Sequence, residues 1–415
     1  VTVKINPGDT AWVLTSTALV MFMTPGLALF YAGMVRSKNV LGMLMNNFFC
    51  LGLVGVLWVL IGFTLAFGRL GDAGWLGNFD FAGLKDLAGT TGTFVPGIPD
   101  IAFVGFQMTF AIITPALITG AVADRMRFGA WVAFIALWSI LVYSPVAHWI
   151  FGGGWLADRG ALDFAGGAVV HVNAGAGALA LVLILGRRIG WPREAMPPHS
   201  LPLTLLGAGI LWFGWFGFNA GSALAANGVA AQAFMNTFVA ASAAMLGWLI
   251  VERIKTGHAT TLGAASGLVA GLVAITPCAG FVGGLAPIAI GAIAGAVCYL
   301  AIQLKFRFGY DDSLDVVAVH LVGGLVGSIL LGLFADASAT GLGEDGAFFG
   351  GGWSLFGEQV LAVVVVMAFS FVVSGVIALA LRAVVPGGIR LTEDDEEIGL
   401  DQTQHAETGY ALERV

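Results

Sequence analysis

The stretch Asp163-Phe-Ala-Gly-Gly-Ala-Val-Val-His171-Val-Asn-Ala-Gly-Ala-Gly177 places one histidine inside a run that otherwise reads as a membrane-spanning helix. On a helix, the path from Asp163 to His171 carries the chain roughly 12 Å deeper. That is well inside a hydrocarbon layer of about 30 Å. A second run, Val316-Val-Ala-Val-His320-Leu-Val-Gly-Gly324, repeats the situation. An ionisable side chain at such depth is expensive and marks function. We therefore read the two histidines as lining one path through a membrane.

Composition agrees. The chain is 58% hydrophobic and only 10% charged, where a soluble domain carries about 25% charge, and its mean hydropathy is +0.91. The 61 glycines suit helices whose backbones approach closely. Cys50, Cys278 and Cys298 fall in or at the ends of apolar runs without metal spacing, which argues against a disulfide framework or a zinc site. The net charge of −7 belongs mostly to a tail: from Pro386 to Val415 stand eight acids and two arginines, giving −6. No basic patch points to nucleic acid.

Apolar runs of spanning length occur at about 10–34, 40–67, 101–122, 128–151, 164–185, 201–222, 228–251, 259–278, 281–304, 316–335 and 354–381. This predicts an all-α polytopic membrane protein with eleven transmembrane helices. Residues 1–385 form the membrane domain and 386–415 an acidic cytoplasmic tail. Placing the N-terminus outside puts fourteen Lys and Arg residues on the inner side and four (Lys4, Arg69, Lys85, Arg159) on the outer. The positive-inside rule selects that orientation. The loop from Gly68 to Pro99 reads as a folded cap over the outer mouth. The basic, proline-broken segment Arg187–Pro198 reads as a topology anchor.

Two halves, about 10–187 and 201–335, share short patterns. His-x-x-x-Gly occurs at His171 and at His320. Thr114-Pro115 in the third span matches Thr276-Pro277 in the eighth, and Phe30-Tyr-Ala-Gly33 matches Phe218-Asn-Ala-Gly221. Each pair is five spans apart, so the partners run in opposite directions. An inverted five-plus-five repeat follows, with the path at the repeat interface and the helix at 354–385 standing outside it. Inversion puts His171 on the outer side of the midplane and His320 on the inner side, close enough to touch.

The eleven runs contain no lysine, arginine or aspartate, and one glutamate, Glu358, near an end. A carboxylate relay or an acidic selectivity ring therefore has no residues to use. Moving a bare cation through such walls costs of the order of tens of kcal/mol in the idealised limit. Aliphatic walls with two imidazoles suit a small neutral polar molecule, because each neutral imidazole offers one donor and one acceptor nitrogen. No cofactor loop, metal constellation or nucleophile triad is present, so no cofactor and no enzyme activity are expected.

Phe106-Gln-Met-Thr-Phe110, Gly160-Ala-Leu-Asp-Phe-Ala-Gly-Gly167, His171-Val-Asn173, Gly214-Trp-Phe-Gly-Phe-Asn-Ala-Gly-Ser222 and Tyr310-Asp-Asp312, with Asp315 and His320, closely resemble the ammonium transporter (Amt/Mep/Rh) family on its Amt side. The resemblance runs the length of the chain. It implies an eleven-helix protomer in the plasma membrane, a homotrimer and one pore per protomer. It makes Phe110 and Phe218 a stacked phenyl gate, and His171 and His320 the twin pore histidines. Trp215 and Ser222 would belong to an outer recruitment site. Asp163 would lie near that mouth, as a helix cap first and an electrostatic group second, with Asp315 as its mirror ahead of the tenth span. Thr276 is a possible contact with the cargo. Where many relatives carry tryptophan at the cation site, this chain has Phe151, in His148-Trp-Ile-Phe151-Gly-Gly-Gly154. A phenyl still presents a π face, weaker than indole.

The resemblance also implies that the tail Glu393-Asp-Asp-Glu-Glu397-Ile-Gly-Leu-Asp401, by composition a solvated disordered run, packs under the trimer and helps receive a PII-type signalling protein. The expected function is ammonium transport: recruitment, deprotonation at the gate, passage of ammonia along the histidines, and net charge movement. The alternatives are an electroneutral ammonia channel and an ammonium sensor acting through a separate partner.

Overall fold

The computed structural model describes residues 4–410, and these residues form helices and turns with isolated backbone bridges but no named strand. Ten helices are long and apolar enough to cross a membrane, and an eleventh is shorter. In chain order they are α1 (Pro7–Met34), α2 (Ser37–Phe67), α3 (Asp100–Val122), α4 (Phe128–Asp158), α5 (Gly167–Leu185), α6 (Leu201–Ala220), α7 (Gly228–Thr256), α8 (Thr261–Ile275), α9 (Ala286–Phe308), α10 (Val317–Phe334) and α11 (Ser354–Val384). Large apolar side chains such as Phe22, Leu60, Phe213, Leu246 and Val372 stay exposed on the bundle, a surface suited to lipid.

The eighth and ninth spans differ from expectation. The apolar run continues to residue 278, but α8 stops at Ile275. Pro277 has no N–H to continue the helical ladder. Thr276 N turns back to Val273 O (3.2 Å), and Pro277 O accepts from Phe164 N (3.1 Å) instead. Helix resumes only at Ala286, with Pro287 in its first turn.

The crossing of α5 and α10 sets the centre of the molecule. Each carries glycine four residues after its histidine. A Cβ at Gly175 would stand 2.4 Å from Leu321 N. One at Gly324 would stand 2.9 Å from Gly167 O and 3.1 Å from the His171 Cβ. The shared His-x-x-x-Gly pattern thus has a steric cause: the two backbones touch where a side chain would hold them apart.

The bundle has two ends. One carries the loop between α2 and α3 and is called here the loop face. That loop is folded. Gly77 N donates to Leu65 O (2.8 Å), Asp100 takes the Thr93 N–H and hydroxyl (3.0 and 2.6 Å), and Phe94 stacks on Phe103 at 5.1 Å. The other end, the tail face, holds a buried ionic cluster. Arg188 makes a two-pronged pair with Asp311 (2.9 and 2.8 Å) and approaches Asp124, which also pairs with Arg36 (3.1 Å). Burial pushes the Asp311 carboxyl up, but the Arg188 and Arg125 guanidiniums outweigh it and hold it below the ordinary carboxylate range. The Arg187–Pro198 segment is therefore a structural tie as well as a positive flank.

The tail is ordered over its described part, contrary to a solvated run. Its two short helices are α12 (Glu393–Ile398) and α13 (Leu400–His405). Glu396 is 1% exposed and Asp401 2%. The reason is that their carboxylates answer groups presented by the bundle. Glu396 accepts from Ile189 N (2.8 Å) and Arg390 (2.8 Å), and Asp401 accepts from Gly42 N (2.9 Å). Lys38 reaches the Glu396 and Glu397 carbonyls.

The counterpart of Asp163 is Asp312, not Asp315. Asp312 accepts from Val317 N (2.7 Å) at the start of α10. It stands eight residues before its histidine, as Asp163 does. Asp315 instead pairs with Lys305 (2.6 Å).

Two outcomes follow. Gly175→Val lowers the unfolding temperature of the purified protein by about 5 °C or more. Gly52→Ala, where an added Cβ meets nothing within 4 Å, leaves it unchanged; equal behaviour of the two would refute the contact argument. Burial and the neighbouring Asp315 carboxylate raise Asp312 to about 6, against the pull of Lys305. A raised carboxyl favours the fold when protonated, and that benefit is lost as pH rises through about 6. Asp312→Asn can keep the cap and remove the charge. Its unfolding temperature relative to wild type should rise by roughly 2–4 °C between pH 5 and pH 7.5, and a flat difference across that range would contradict the assignment.

Candidate functional site

The site is built by the two aspartate-led helix starts. Asp163 Oδ1 accepts from Gly166 N and Gly167 N (2.8 and 2.7 Å), and Oδ2 from Ala168 N and Val169 N (2.9 and 3.1 Å). One carboxylate thus satisfies the orphan donors of a helix N-terminus. The chain enters through Gly166 at φ +123°, a conformation that side chains resist. The first turns of α5, Gly167–Val172, are wound as a wide π turn, with His171 N donating to Gly166 O (3.0 Å). The first turns of α10, Val317–Val322, are wound the same way. Such turns recur at functional sites because they swing one side chain out of helical register.

They bring His171 and His320 together. The two Nδ1 atoms lie 3.3 Å apart, with ring centroids 5.3 Å apart and planes 23° from parallel. Two neutral imidazoles in this arrangement share one hydrogen. One Nδ1 donates and the other accepts, so one ring keeps a bare Nε2 and the other an Nε2–H. His171 Nε2 is buried without a protein partner. Around the pair is a narrow gap, otherwise lined by Trp215, Phe218 and aliphatic side chains including Leu27, Ile113 and Val269.

Towards the loop face, Phe218 and Phe110 close this gap, with ring centroids 4.4 Å apart and each ring about 1% exposed. Beyond them lies a vestibule of about 180 Å³, in which Phe110, Phe151 and Ser222 meet. Phe151 stands edge-on to Phe110 at 6.4 Å. Ser222 donates to Phe218 O (2.8 Å), leaving its oxygen free to accept.

Three sequence assignments move. Trp215 does not line the vestibule. It precedes Phe218 by one helical turn of α6, so it sits on the histidine side of the phenyl pair, stacked on His171 at 5.5 Å. Its indole Nε1 donates to Thr276 Oγ1 (2.9 Å), and Thr276 donates to Leu272 O (2.8 Å). Thr276 therefore fixes the Trp215 ring and does not line the narrow gap. Asp163 is committed to backbone N–H groups and is absent from the vestibule wall. Sequence reasoning passed over Gln107, which lines the vestibule. It was visible inside Phe106-Gln-Met-Thr-Phe110, one turn before Phe110.

A family model described as Ammonium Transporter Family matches residues 11–410. The ammonium transporter of Mycobacterium tuberculosis (strain H37Rv) is 51% identical, over 97% of this chain and 90% of that protein. That of Bacillus subtilis is 49% identical, over 97% and 98%. The crystal structure of Saccharomyces cerevisiae Mep2 matches with a TM-score of 0.90 at 35% identity, covering 99% of this chain and 93% of that one. With a family match over nearly the whole chain and relatives this similar along at least 90% of their length, the protein belongs to the ammonium transporter family.

Proposed function

We propose that this chain carries ammonium into the cell by separating it into ammonia and a proton. The observation that carries the reading is the 3.3 Å histidine contact inside an apolar bore closed by a phenyl pair. In this reading the loop face is extracellular and the tail face cytoplasmic, as the fourteen-to-four distribution of basic residues supports. The membrane is the plasma membrane, residues 1–385 form the conducting domain, and 386–415 form the cytoplasmic tail.

Ammonium enters the vestibule, where the ring faces of Phe110 and Phe151 attract it and Ser222 Oγ accepts one of its N–H bonds. A hydrated ion cannot pass phenyl rings 4.4 Å apart. Nor can a bare cation afford the apolar bore beyond them. Ammonia can, because it is neutral and the twin imidazoles offer it one acceptor and one donor. The released proton crosses through the His171–His320 hydrogen bond, so transport moves net charge. Asp163 is committed to the backbone N–H groups of α5, and Arg188, Asp311 and Asp124 to one another at the tail face, which leaves the histidines as the relay.

The same reading includes a homotrimer in the lipid bilayer and a PII-type signalling protein meeting the tail face. The ordered tail supports the second, since it offers a fixed surface rather than a mobile one.

Protein reconstituted in vesicles should give an ammonium-dependent inward current that saturates. Uptake of ammonium without any current would replace this scheme with an electroneutral ammonia channel, and binding without uptake would favour a sensor. His171→Asp and His320→Asp place a carboxylate in the bore and should admit potassium current at least about tenfold above wild type. If both variants keep wild-type flux and exclude potassium, the histidines are not the discriminating element.

A further inference from the structure

The vestibule wall among the described residues is largely phenyl and aliphatic, and Ser222 and Gln107 are its polar side chains. Ser222 has a protein partner for its hydrogen. Gln107 is 9% exposed, yet its amide makes no hydrogen bond to protein among the described residues and opens on the vestibule. Its polar atoms are not sealed in protein but face the vestibule, so the amide is free to bind what enters there. The position is also specific. Gln107 lies one turn before Phe110 on α3, on the face that presents Phe103, Phe106 and Phe110 to the same space.

The chemistry of the cargo tells which end of the amide is used. Ammonium has four N–H donors and no acceptor. Ser222 Oγ supplies one lone-pair acceptor, and the Phe110 and Phe151 faces supply two π acceptors. We propose that the Gln107 side-chain carbonyl is the second oxygen acceptor for ammonium, completing a set of four acceptors with Ser222 Oγ and the two ring faces. This rests on the recruitment step proposed above and adds the residue that makes the step selective. A potassium ion of similar size is held by shells of many oxygens, and two oxygens with two phenyl rings undercoordinate it. The missing indole N–H of Phe151 costs this site nothing, because the cargo needs acceptors and not donors; its weaker π face places more of the binding on the oxygens.

The test uses the full chain in vesicles, with current recorded against ammonium concentration, and calorimetric binding of ammonium in detergent. Gln107→Leu keeps the size and removes the acceptor. It should raise the half-saturating ammonium concentration and the dissociation constant by about tenfold, with the maximal current within about twofold of wild type. Gln107→Glu should lower the half-saturating concentration and make potassium an effective competitor, because a carboxylate attracts either cation. Gln107→Met serves in place of Leu if elution or thermal unfolding shows that the Leu variant misfolds. Unchanged half-saturation and binding in the apolar variants would overturn the proposal while leaving recruitment intact. A fall in maximal current alone would also overturn it, by assigning Gln107 to the gate. A wild type that neither binds nor carries ammonium would remove the recruitment step and this residue with it.

Discussion

One hydrogen shared between the Nδ1 atoms of His171 and His320 organises the protein, and it exists only because α5 and α10 touch. The contact depends on Gly175 and Gly324, on two π turns, and on two aspartates that anchor the helix starts. Each device appears in both halves of the chain. Repetition in opposite directions is an economical way to aim two identical side chains at each other from the two sides of a membrane. The surrounding walls then need no polarity of their own.

Much of this was legible in the sequence. The eleven spans follow from apolar run length, and His171 and His320 stand out because so little else in those runs can ionise. The His-x-x-x-Gly pattern was visible, but its steric meaning was not, since a sequence does not say which backbone a glycine will meet. The end of α8 was missed because hydrophobicity continues past Pro277 while the hydrogen-bond ladder does not. Asp312 and Asp315 were exchanged because both precede the tenth span, and only the position of the Val317 N–H distinguishes them. Trp215 was placed too far out by one helical turn, a small shift along α6 that moves it across the phenyl pair.

The tail shows a different kind of gap. Its composition is that of a segment solvated by water, with few apolar residues to bury. What orders it is directional: carboxylates of Glu396 and Asp401 meeting backbone N–H groups and Arg390, and Lys38 meeting tail carbonyls. Composition measures how much a segment can bury, not which donors await it. The same holds for Arg188, whose charge reads as a membrane-orientation signal yet is mostly taken up by Asp311 and Asp124.

A hydrogen held between two like atoms has two resting positions, and traffic through it reverses them. When the entry ring has received a proton at its far nitrogen and passed its own across, the occupied and vacant nitrogens have traded places. The wire now points the other way and refuses a second proton from the same side. Stacking on Trp215 and Phe218 hinders any somersault of the His171 ring that would rearm it. Any charge that travelled by such a wire would have to be followed by a rearming step before the next could cross the same way.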